Sequence, residues 1–358
     1  MKELKFIDVN GTGHSGKSAV TDLLREFEKN YLYDHLFEFD FVRIPGGILE
    51  LKYNFYDNWS PIRADHAISK FLKTSKRMSN SIFSYDLFRK INSYGTNYET
   101  IFNNKFELLT NQYCLNLIEK KIYREYWPYR LIDKSTTFLF LFKFLRKLKL
   151  EKVFFKNFFN YNVTLKKDFL KITNVYLNSL FNELYGLGEK HDTILLQNTF
   201  EPYNPDKSLK IFKNIKLINV IRDPRDIYCS TLKINPNEVF IPEFIKEEKQ
   251  WDFKKRFLST NNIEDFILIQ KMNLRNLDEV KSNKDILTIK YEDLVLNYNQ
   301  CLIKITNFLK IDLKDHKLKK VHFDPKKSIK NVGVWKNYKN TYEVKLIEKE
   351  LKEYCYQK

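Results

Sequence analysis

The chain alternates between short apolar runs and stretches with helical periodicity. The first run, 6–9, ends at Asn10-Gly11, and from Ser18 to Phe27 apolar residues recur at helical spacing. Three further apolar runs have the length of strands: 193–197, 215–221 and 286–290. Since these runs lack the alternation of a half-exposed strand, they predict strands buried on both faces, as in a parallel sheet covered by helices.

A further extended strand is predicted at 36–44. Phe37, Phe39 and Phe41 alternate with other residue types, and the pattern stops at Pro45-Gly46-Gly47. Because this stretch follows the first helix, we expect it to lie beside the first strand, connected by a right-handed crossover.

Residues 60–190 contain few helix breakers and predict a mainly helical insertion. Neither a repeat nor a linker rich in Pro, Gly or Ser divides the chain. We therefore expect an α/β fold in which a parallel β-sheet is flanked by helices. The expected organisation is a single domain over 1–358, with the insertion at 60–190 acting as an acceptor-binding lid.

The composition is that of a globular chain. Hydrophobic residues make up 43% of the 358 positions, against 9 Gly and 9 Pro, which excludes collagen, a disulfide scaffold and wholesale disorder. The 4 cysteines are far apart and form no CxxC pair. We therefore expect no zinc site, and we expect the protein to be in a reducing compartment.

Membrane-spanning segments are not expected. The longest apolar run, Phe138–Phe142, is broken by Lys143, whereas a spanning helix needs about 20 apolar residues. The N-terminus carries no apolar stretch of signal-peptide length before Asn10. We expect a cytoplasmic protein. Peripheral contact with the inner face of the membrane is an open alternative.

The net charge is +17, from 62 Lys and Arg against 45 Asp and Glu. Such a balance favours an anionic partner: nucleic acid, acidic lipid, an anionic polysaccharide or a phosphorylated cofactor. The chain is also rich in Asn, Ile, Phe and Tyr, and together with Lys these residues match the codon bias of an AT-rich genome. The overall charge therefore does not select among these partners.

A glycine loop carries the first chemical signal. Residues 11–18, GTGHSGKS, fit the pattern GxxxxGK[ST] after a strand and at the start of a helix. The glycines let backbone N–H groups surround an anion, the helix N-terminus adds its dipole, and Lys17 contributes a mobile charge. The loop suits the phosphates of ATP or GTP with magnesium, or the 5′ end of 3′-phosphoadenosine-5′-phosphosulfate (PAPS). Magnesium would need a carboxylate, for which Asp133 and Asp40 are candidates.

A second anion site is predicted at 219–230, which again reads as strand, turn and helix. Arg222 follows a buried strand, at the edge where ligands bind in open α/β sheets. Ser230 lies about two helical turns further on, so the arginine and the hydroxyl can converge on one phosphate. Two anion sites in one sheet suit a nucleotide with phosphates on both its 3′ and 5′ sides.

Four segments, in this order along the chain, resemble the PAPS-dependent sulfotransferase family: GHSGKS at 13–18, IRDPRD with Ser230, KYEDL at 290–294, and SIKNVGVWKN at 328–337. The resemblance implies transfer of a sulfuryl group from PAPS to an acceptor hydroxyl, with no metal. It does not extend to the acceptor, for which we expect a small molecule or glycan, with carbohydrate or glycoconjugate favoured, by analogy with enzymes of a reducing cytoplasm that lack a membrane anchor. It implies these cofactor-binding residues: Gly13, His14, Ser15, Gly16, Lys17, Ser18, Ala19, Arg222, Ser230, Lys330, Gly333, Trp335 and Lys336.

The resemblance also implies two catalytic residues. Lys17 is expected to stabilise the leaving phosphate. Family members that use a carboxylate base carry it after the glycine-loop helix, where Glu38 stands, with Asp40 on the same face of the expected strand. The alternatives for the base are Glu201, His66 and Asp65.

Other functions stay open at this point. Because Lys17-Ser18 also matches nucleoside-triphosphatase loops, a magnesium-dependent P-loop kinase or NTPase is the alternative, and a non-catalytic basic protein is the third class; no nucleic-acid partner is expected. The stretch 138–159 combines aromatic with basic residues, which predicts either contact with a membrane surface or lipid-linked acceptor, or a packed helix with solvated lysines. The oligomeric state is not predicted.

Overall fold

The computed structural model describes residues 2–35, 37–80, 96–122, 128–155, 160–164, 168–200, 202, 205–234, 239–244, 257–260 and 262–357. The strands are β1 (Lys5–Asn10), β2 (Asn30–Tyr31), β3 (Ile118–Ile122), β4 (Tyr161–Thr164), β5 (Thr193–Gln197), β6 (Ile215–Ile221), β7 (Val239–Phe244), β8 (Phe257–Thr260) and β9 (Ile286–Lys290).

The α-helices are α1 (Lys17–Arg25), α2 (Ile48–Lys52), α3 (Pro61–Ser79), α4 (Tyr98–Ile101), α5 (Phe106–Leu117), α6 (Thr136–Lys147), α7 (Glu151–Phe154), α8 (Phe169–Asn182), α9 (Asp206–Leu209), α10 (Pro224–Ile234), α11 (Ile263–Glu279), α12 (Tyr291–Leu296), α13 (Tyr298–Leu309), α14 (Pro325–Ser328) and α15 (Thr341–Glu350). Short 3₁₀ helices lie at Asp40–Val42, Pro128–Leu131, Leu313–Asp315, Ile329–Asn331, Val334–Asn337 and Lys352–Tyr354, and a π-helical turn at Tyr53–Asp57.

Among the described residues, five strands form one parallel sheet in the order β2-β5-β1-β6-β9. The expected α/β fold is confirmed, and the predicted strands at 193–197, 215–221 and 286–290 have these bounds in the structure. Consecutive residues of β1 enter different apolar clusters, Phe6 on one face of the sheet and Ile7 on the other. The strands are therefore buried on both faces, as the lack of alternation predicted.

The predicted strand at 36–44 is wrong. Its described residues form a turn and the 3₁₀ helix at Asp40–Val42, and Arg43 folds back to bind the carboxylates of both Glu38 and Asp40. The alternating rings at 37, 39 and 41 are all buried. The alternation therefore does not correspond to one exposed and one buried face of a strand.

The expected neighbour of β1 is also wrong. The strand that follows α1 is β2, which pairs with β5 at the edge of the sheet, and β5 occupies the place beside β1.

The described residues of 60–190 are mainly helical. Helices α3, α5 and α8 pack together, and buried hydroxyl pairs join α5 to α8: Tyr113 with Thr173 and Thr110 with Tyr176, each at 2.8 Å. The sequence did not predict that β3 and β4 would form an antiparallel pair within it. Within the described ranges, no helix is both long and apolar enough to cross a bilayer.

Candidate functional site

The glycine loop connects β1 to α1 at the carboxyl edge of the sheet. Gly16 caps α1 with a left-handed backbone, φ 92°, and a Cβ there would lie 2.3 Å from the ring of Tyr291. A Cβ on Gly11 would lie 2.3 Å from Ser15 Oγ and 2.7 Å from the carbonyl oxygen of Val220. Both positions require glycine because a larger side chain would collide with these neighbouring residues.

Lys17 and Glu38 meet beside this loop. Lys17 Nζ lies 3.4 Å from Glu38 Oε1, and their side chains are 12% and 4% exposed. Arg43 donates to the other carboxylate oxygen, Oε2, at 3.2 Å. The structure thus brings the two predicted catalytic residues together, although the backbone around Glu38 is a turn instead of a strand.

Asn198, which was not among the predicted site residues, joins the loop to Glu38. Its side-chain oxygen accepts a hydrogen bond from the Gly11 N–H at 3.1 Å, and its Nδ2 donates to Glu38 Oε1 at 3.3 Å. A left-handed backbone, φ 44°, turns the chain here, directly after β5. Asn198 therefore orients the carboxylate relative to the loop.

Asp8 supports this region from inside β1. Its carboxylate accepts the N–H groups of Thr199 at 3.0 Å and Phe200 at 3.2 Å. Burial raises the pKa of Asp8 to about 7, and the nearby Glu38 adds to the rise. An acidic residue in the middle of an apolar strand was the available sequence signal for this role, and it was missed.

The predicted second anion site lies where Arg222 follows β6. Its guanidinium donates to the backbone carbonyl of His14 at 2.9 Å and to that of Asn331 at 2.6 Å, and lies 5.2 Å from the ring centre of Tyr291. Arg222 therefore links the glycine loop to the C-terminal segment. Ser230 is half-buried on α10, and the described hydrogen bonds of Arg222 do not involve it.

Asp226 holds the C-terminal segment against α10. Its carboxylate accepts the N–H of Gly333 at 2.7 Å and that of Trp335 at 3.1 Å, and Gly333 has a left-handed backbone, φ 73°. The Arg225 guanidinium lies 4.0 Å from the centre of the Trp335 ring. Lys330 and Lys336 are exposed on the same segment.

His14 adds no charge to the loop at neutral pH. Burial, together with the positive charges of Arg222 and Lys17, lowers the pKa of its imidazole to about 4. Its backbone φ of 62° is left-handed. The loop therefore receives its positive charge from Lys17 and Arg222.

The remaining candidate acids and bases are paired, two of them away from the loop and Asp40 with the arginine that also binds Glu38. Asp65 pairs with Arg130, and His66 pairs with Asp133, both in the insertion; Asp40 pairs with Arg43. Glu201 lies outside the described residues. No group of three or more His, Cys, Asp or Glu side chains that suits a metal ion occurs in the part of the chain that is described.

The pocket around the loop suits phosphate groups. Ser15 Oγ and Arg222 Nε are buried and have no hydrogen-bond partner among the residues that the structure describes. A buried donor without a partner costs about 1–3 kcal/mol, which a bound oxyanion would recover. Together with the glycines at 11 and 16, these donors suit the two phosphate-bearing ends of a nucleotide.

Comparison with known proteins gives one family match. A family model described as the sulfotransferase domain matches residues 158–350, which is more than half of the chain. The match includes Arg222, Ser230 and the segment at 328–337, but not the glycine loop. A search of curated proteins found no match.

Several solved structures are similar at low identity. The sulfotransferase domain from the Synechococcus PCC 7002 olefin synthase aligns at TM-score 0.40 and 13% identity, covering 98% of this chain and 95% of that chain. The sulfotransferase domain from the curacin biosynthetic pathway gives 0.39 and 14%, covering 98% of each. Retinol dehydratase, in complex with androsterone and the inactive cofactor PAP, gives 0.36 and 13%, covering 97% and 80%. These similarities are too weak to add to the family match.

Glu292 generates a prediction about stability and pH. Its Oε1 accepts the Asp223 N–H at 2.8 Å, its Oε2 has no hydrogen-bond partner among the described residues, and burial raises its pKa to about 7. Because the folded state favours the protonated carboxyl, the contribution of Glu292 to stability is most favourable below the ordinary pKa of 4.5 and is lost as pH rises toward 7. Between pH 5 and pH 8, the unfolding free energy of Glu292→Gln should decrease by about 1–3 kcal/mol less than that of the parent.

The measurement is urea unfolding at both pH values. The control is Glu119→Gln at an exposed position, which should follow the parent. Equal losses in Glu292→Gln and the parent would show that Glu292 titrates normally.

Proposed function

The chain belongs to the sulfotransferase domain family and is a PAPS-dependent sulfotransferase, and we propose that Lys17 and Glu38 carry out the transfer to an acceptor hydroxyl. The contact of these side chains beside the glycine loop carries the proposal. When bound, PAPS supplies a sulfuryl group attached to a phosphate leaving group. The new bond joins sulfur to the acceptor oxygen, and the bond from sulfur to the phosphate oxygen breaks.

Lys17 neutralises the negative charge that grows on the phosphate oxygen as this bond breaks. The helix N-terminus at Gly16 and the loop N–H groups act on the same oxygen region. Lys17 can do this without a metal because it already lies at the loop, held by Glu38.

Glu38 accepts the proton of the acceptor hydroxyl. Arg43 and Asn198 hold its two oxygens in place, so little rotation remains to be lost when the acceptor binds. These two residues are positioning residues, since they act through Glu38 and not on the acceptor.

Arg222 and the C-terminal segment are proposed to bind the 3′ side of the nucleotide. The unpaired Nε of Arg222 and the hydroxyl of Ser230, on the helix that starts at Pro224, supply donors for the 3′-phosphate. Gly333, Trp335 and the exposed Lys330 and Lys336 line the same side. A nucleotide without a 3′-phosphate would leave Arg222 Nε unpaired, which disfavours the kinase or NTPase alternative.

The acceptor is proposed to be a carbohydrate or glycoconjugate. A cavity of about 730 Å³ begins at Arg43, the partner of Glu38, and extends past Ile44 and Pro45 to Tyr53 and Lys210. It combines aromatic, carboxylate and ammonium groups, a mixture that suits a ligand with many hydroxyls. We call it the acceptor cavity.

Contact with a membrane surface is a second proposal, carried by α6 and α7. Phe142 is buried, whereas Phe140, Phe144 and Phe154 are 75%, 52% and 64% exposed. Lys143, Arg146 and Lys147 lie among these rings. Apolar rings and cations on one surface suit binding to acidic lipid.

Arg222→Ala should weaken binding of adenosine 3′,5′-bisphosphate about 10- to 100-fold, because a charge-assisted hydrogen bond contributes about 1.5–3 kcal/mol. Binding of adenosine 5′-phosphate should change much less. Calorimetric titration measures both, with Arg275→Ala, an exposed arginine, as the control. Tighter binding of ATP with magnesium than of the bisphosphate would overturn the sulfotransferase assignment of this site.

Glu38→Gln should lower turnover about 10²- to 10⁴-fold, the usual contribution of a general base, and leave affinity for the bisphosphate unchanged. Asp40→Asn, which removes a neighbouring charge from the same arginine, should cost less than tenfold. Single-turnover kinetics with one acceptor compares the variants. A larger loss in Asp40→Asn would assign the base to Asp40.

The pair Phe140→Ser and Phe144→Ser should reduce binding to vesicles that contain acidic phospholipid at least tenfold, because it removes the exposed rings. Sedimentation with vesicles measures the bound fraction. Leu108→Ser with Leu115→Ser, two leucines that are 50% and 54% exposed on α5, is the matched control. If the control pair loses as much binding, α6 is not the membrane surface.

A further inference from the structure

Six Lys and Arg side chains line a second cavity. It has a volume of about 550 Å³ and lies between α3, the β3–β4 pair and the segment 128–134. We call it the basic pocket, defined by Lys70, Lys73, Arg77, Lys121, Arg130 and Lys134. Three of them lie on α3, and the other three come from β3 and the segment 128–134, so folding brings the two groups together.

The acidic groups that face the basic pocket are fewer than its cations. Asp133 lines it and pairs with His66 at 2.9 Å. Glu50 reaches Lys70 at 2.8 Å, and the buried Asp65 reaches Arg130 at 2.6 Å. Among the described residues, six cations thus face three carboxylates.

Neutral hydrogen-bonding groups complete the lining. Ser69, Thr74, Tyr129, Asn160 and Asn162 add hydroxyl and amide groups to the walls. Hydroxyls and amides beside cations are the usual protein partners of phosphate, sulfate and carboxylate groups.

The cations are also close enough to repel each other. Burial lowers the pKa of Lys134, and the positive charge of Lys73 lowers it further. Mutual repulsion of this kind is relieved when an anion binds between the charges.

The basic pocket adjoins the acceptor cavity. Pro45 lines both, and the ion pair between Glu50 of the acceptor cavity and Lys70 of the basic pocket joins their walls. Two residues before Pro45, Arg43 contacts Glu38. A molecule in the acceptor cavity can therefore extend one end toward Glu38 and the other toward the basic pocket.

We propose that the basic pocket binds an oxyanion group of the acceptor, a phosphate, sulfate or carboxylate that lies apart from the reacting hydroxyl. The acceptor is then an acidic molecule. This assignment rests on the proposed function, since it uses the acceptor cavity and Glu38. The anion site itself does not depend on the proposed function, because its residues are separate from those of the glycine loop and Arg222.

Inorganic phosphate is the first probe. Titrations use the full chain, saturated with adenosine 3′,5′-bisphosphate so that the nucleotide site is filled, at an ionic strength held constant with KCl. Phosphate should raise the unfolding temperature of the parent, and Lys73→Ala with Lys121→Ala should weaken phosphate binding at least tenfold. Lys314→Ala with Lys345→Ala, at exposed positions away from the pocket, should bind as the parent does. Equal phosphate affinity in the parent and the pocket variant would overturn the anion site.

A matched pair of acceptors is the second probe. The two compounds carry the same hydroxyl and differ only in the presence of a carboxylate or sulfate at the far end. The parent should show at least a tenfold higher kcat/KM for the anionic compound, through KM, and the pocket variant should lose this preference while kcat on the neutral compound stays the same. A preference that survives in the variant would place the acceptor's anion elsewhere.

The bisphosphate and phosphate titrations also distinguish failure of the anion site from failure of the proposed function. Failure of the bisphosphate to bind would contradict the proposed function, and the comparison of phosphate binding between parent and pocket variant would still decide the anion site.

Discussion

The parallel pairing of β1 with β5 on one side and β6 on the other determines where each charged group of the site lies. Parallel strands end at the same edge, so the glycine loop, Asn198 and Arg222 all emerge there. Asn198 can then reach both Gly11 and Glu38, and Arg222 can reach the carbonyl of His14. A different strand beside β1 would separate these groups.

Behind the basic groups of the site lies a layer of buried carboxylates. Asp8, Glu292 and Asp226 each accept backbone N–H groups from loops at the carboxyl edge. Their oxygens face the backbone of these loops, not the ligand. Acidic residues thus hold the loops in shape through hydrogen bonds, while Lys17 and Arg222 present the positive charge.

Sequence patterns predicted the buried strands well. Both faces of those strands are apolar, so a continuous apolar run is enough to indicate each of them. The stretch 36–44 shows the limit of this reasoning. Phe39 packs against the rings of Tyr98, Phe102 and Phe181, which are distant in sequence, and no local period reports such partners. The polar strand β3, sequence IEKKI, carries no apolar run at all, so its pairing with β4 was not predictable.

The site was predictable where a motif defines local geometry and not where contacts join distant loops. The loop at 11–18 and the placement of Arg222 after a strand follow from short-range rules. The proximity of Glu38 to Lys17 was predicted by position in the chain, yet it depends on Arg43 and Asn198, which no motif indicated. Asp226 was missed for the same reason, since its partners lie in the segment around Gly333.

The contacts of Arg222 have a consequence for how the protein is made. Its guanidinium donates to the carbonyl groups of His14 and Asn331, which are far apart in the sequence, and the Asp226 carboxylate accepts the N–H groups of Gly333 and Trp335. During synthesis on the ribosome, the glycine loop emerges long before the segment at 328–337. The contacts between them therefore form only after residue 335 has left the ribosome, and a product truncated before that residue lacks the contact between Asp226 and Trp335.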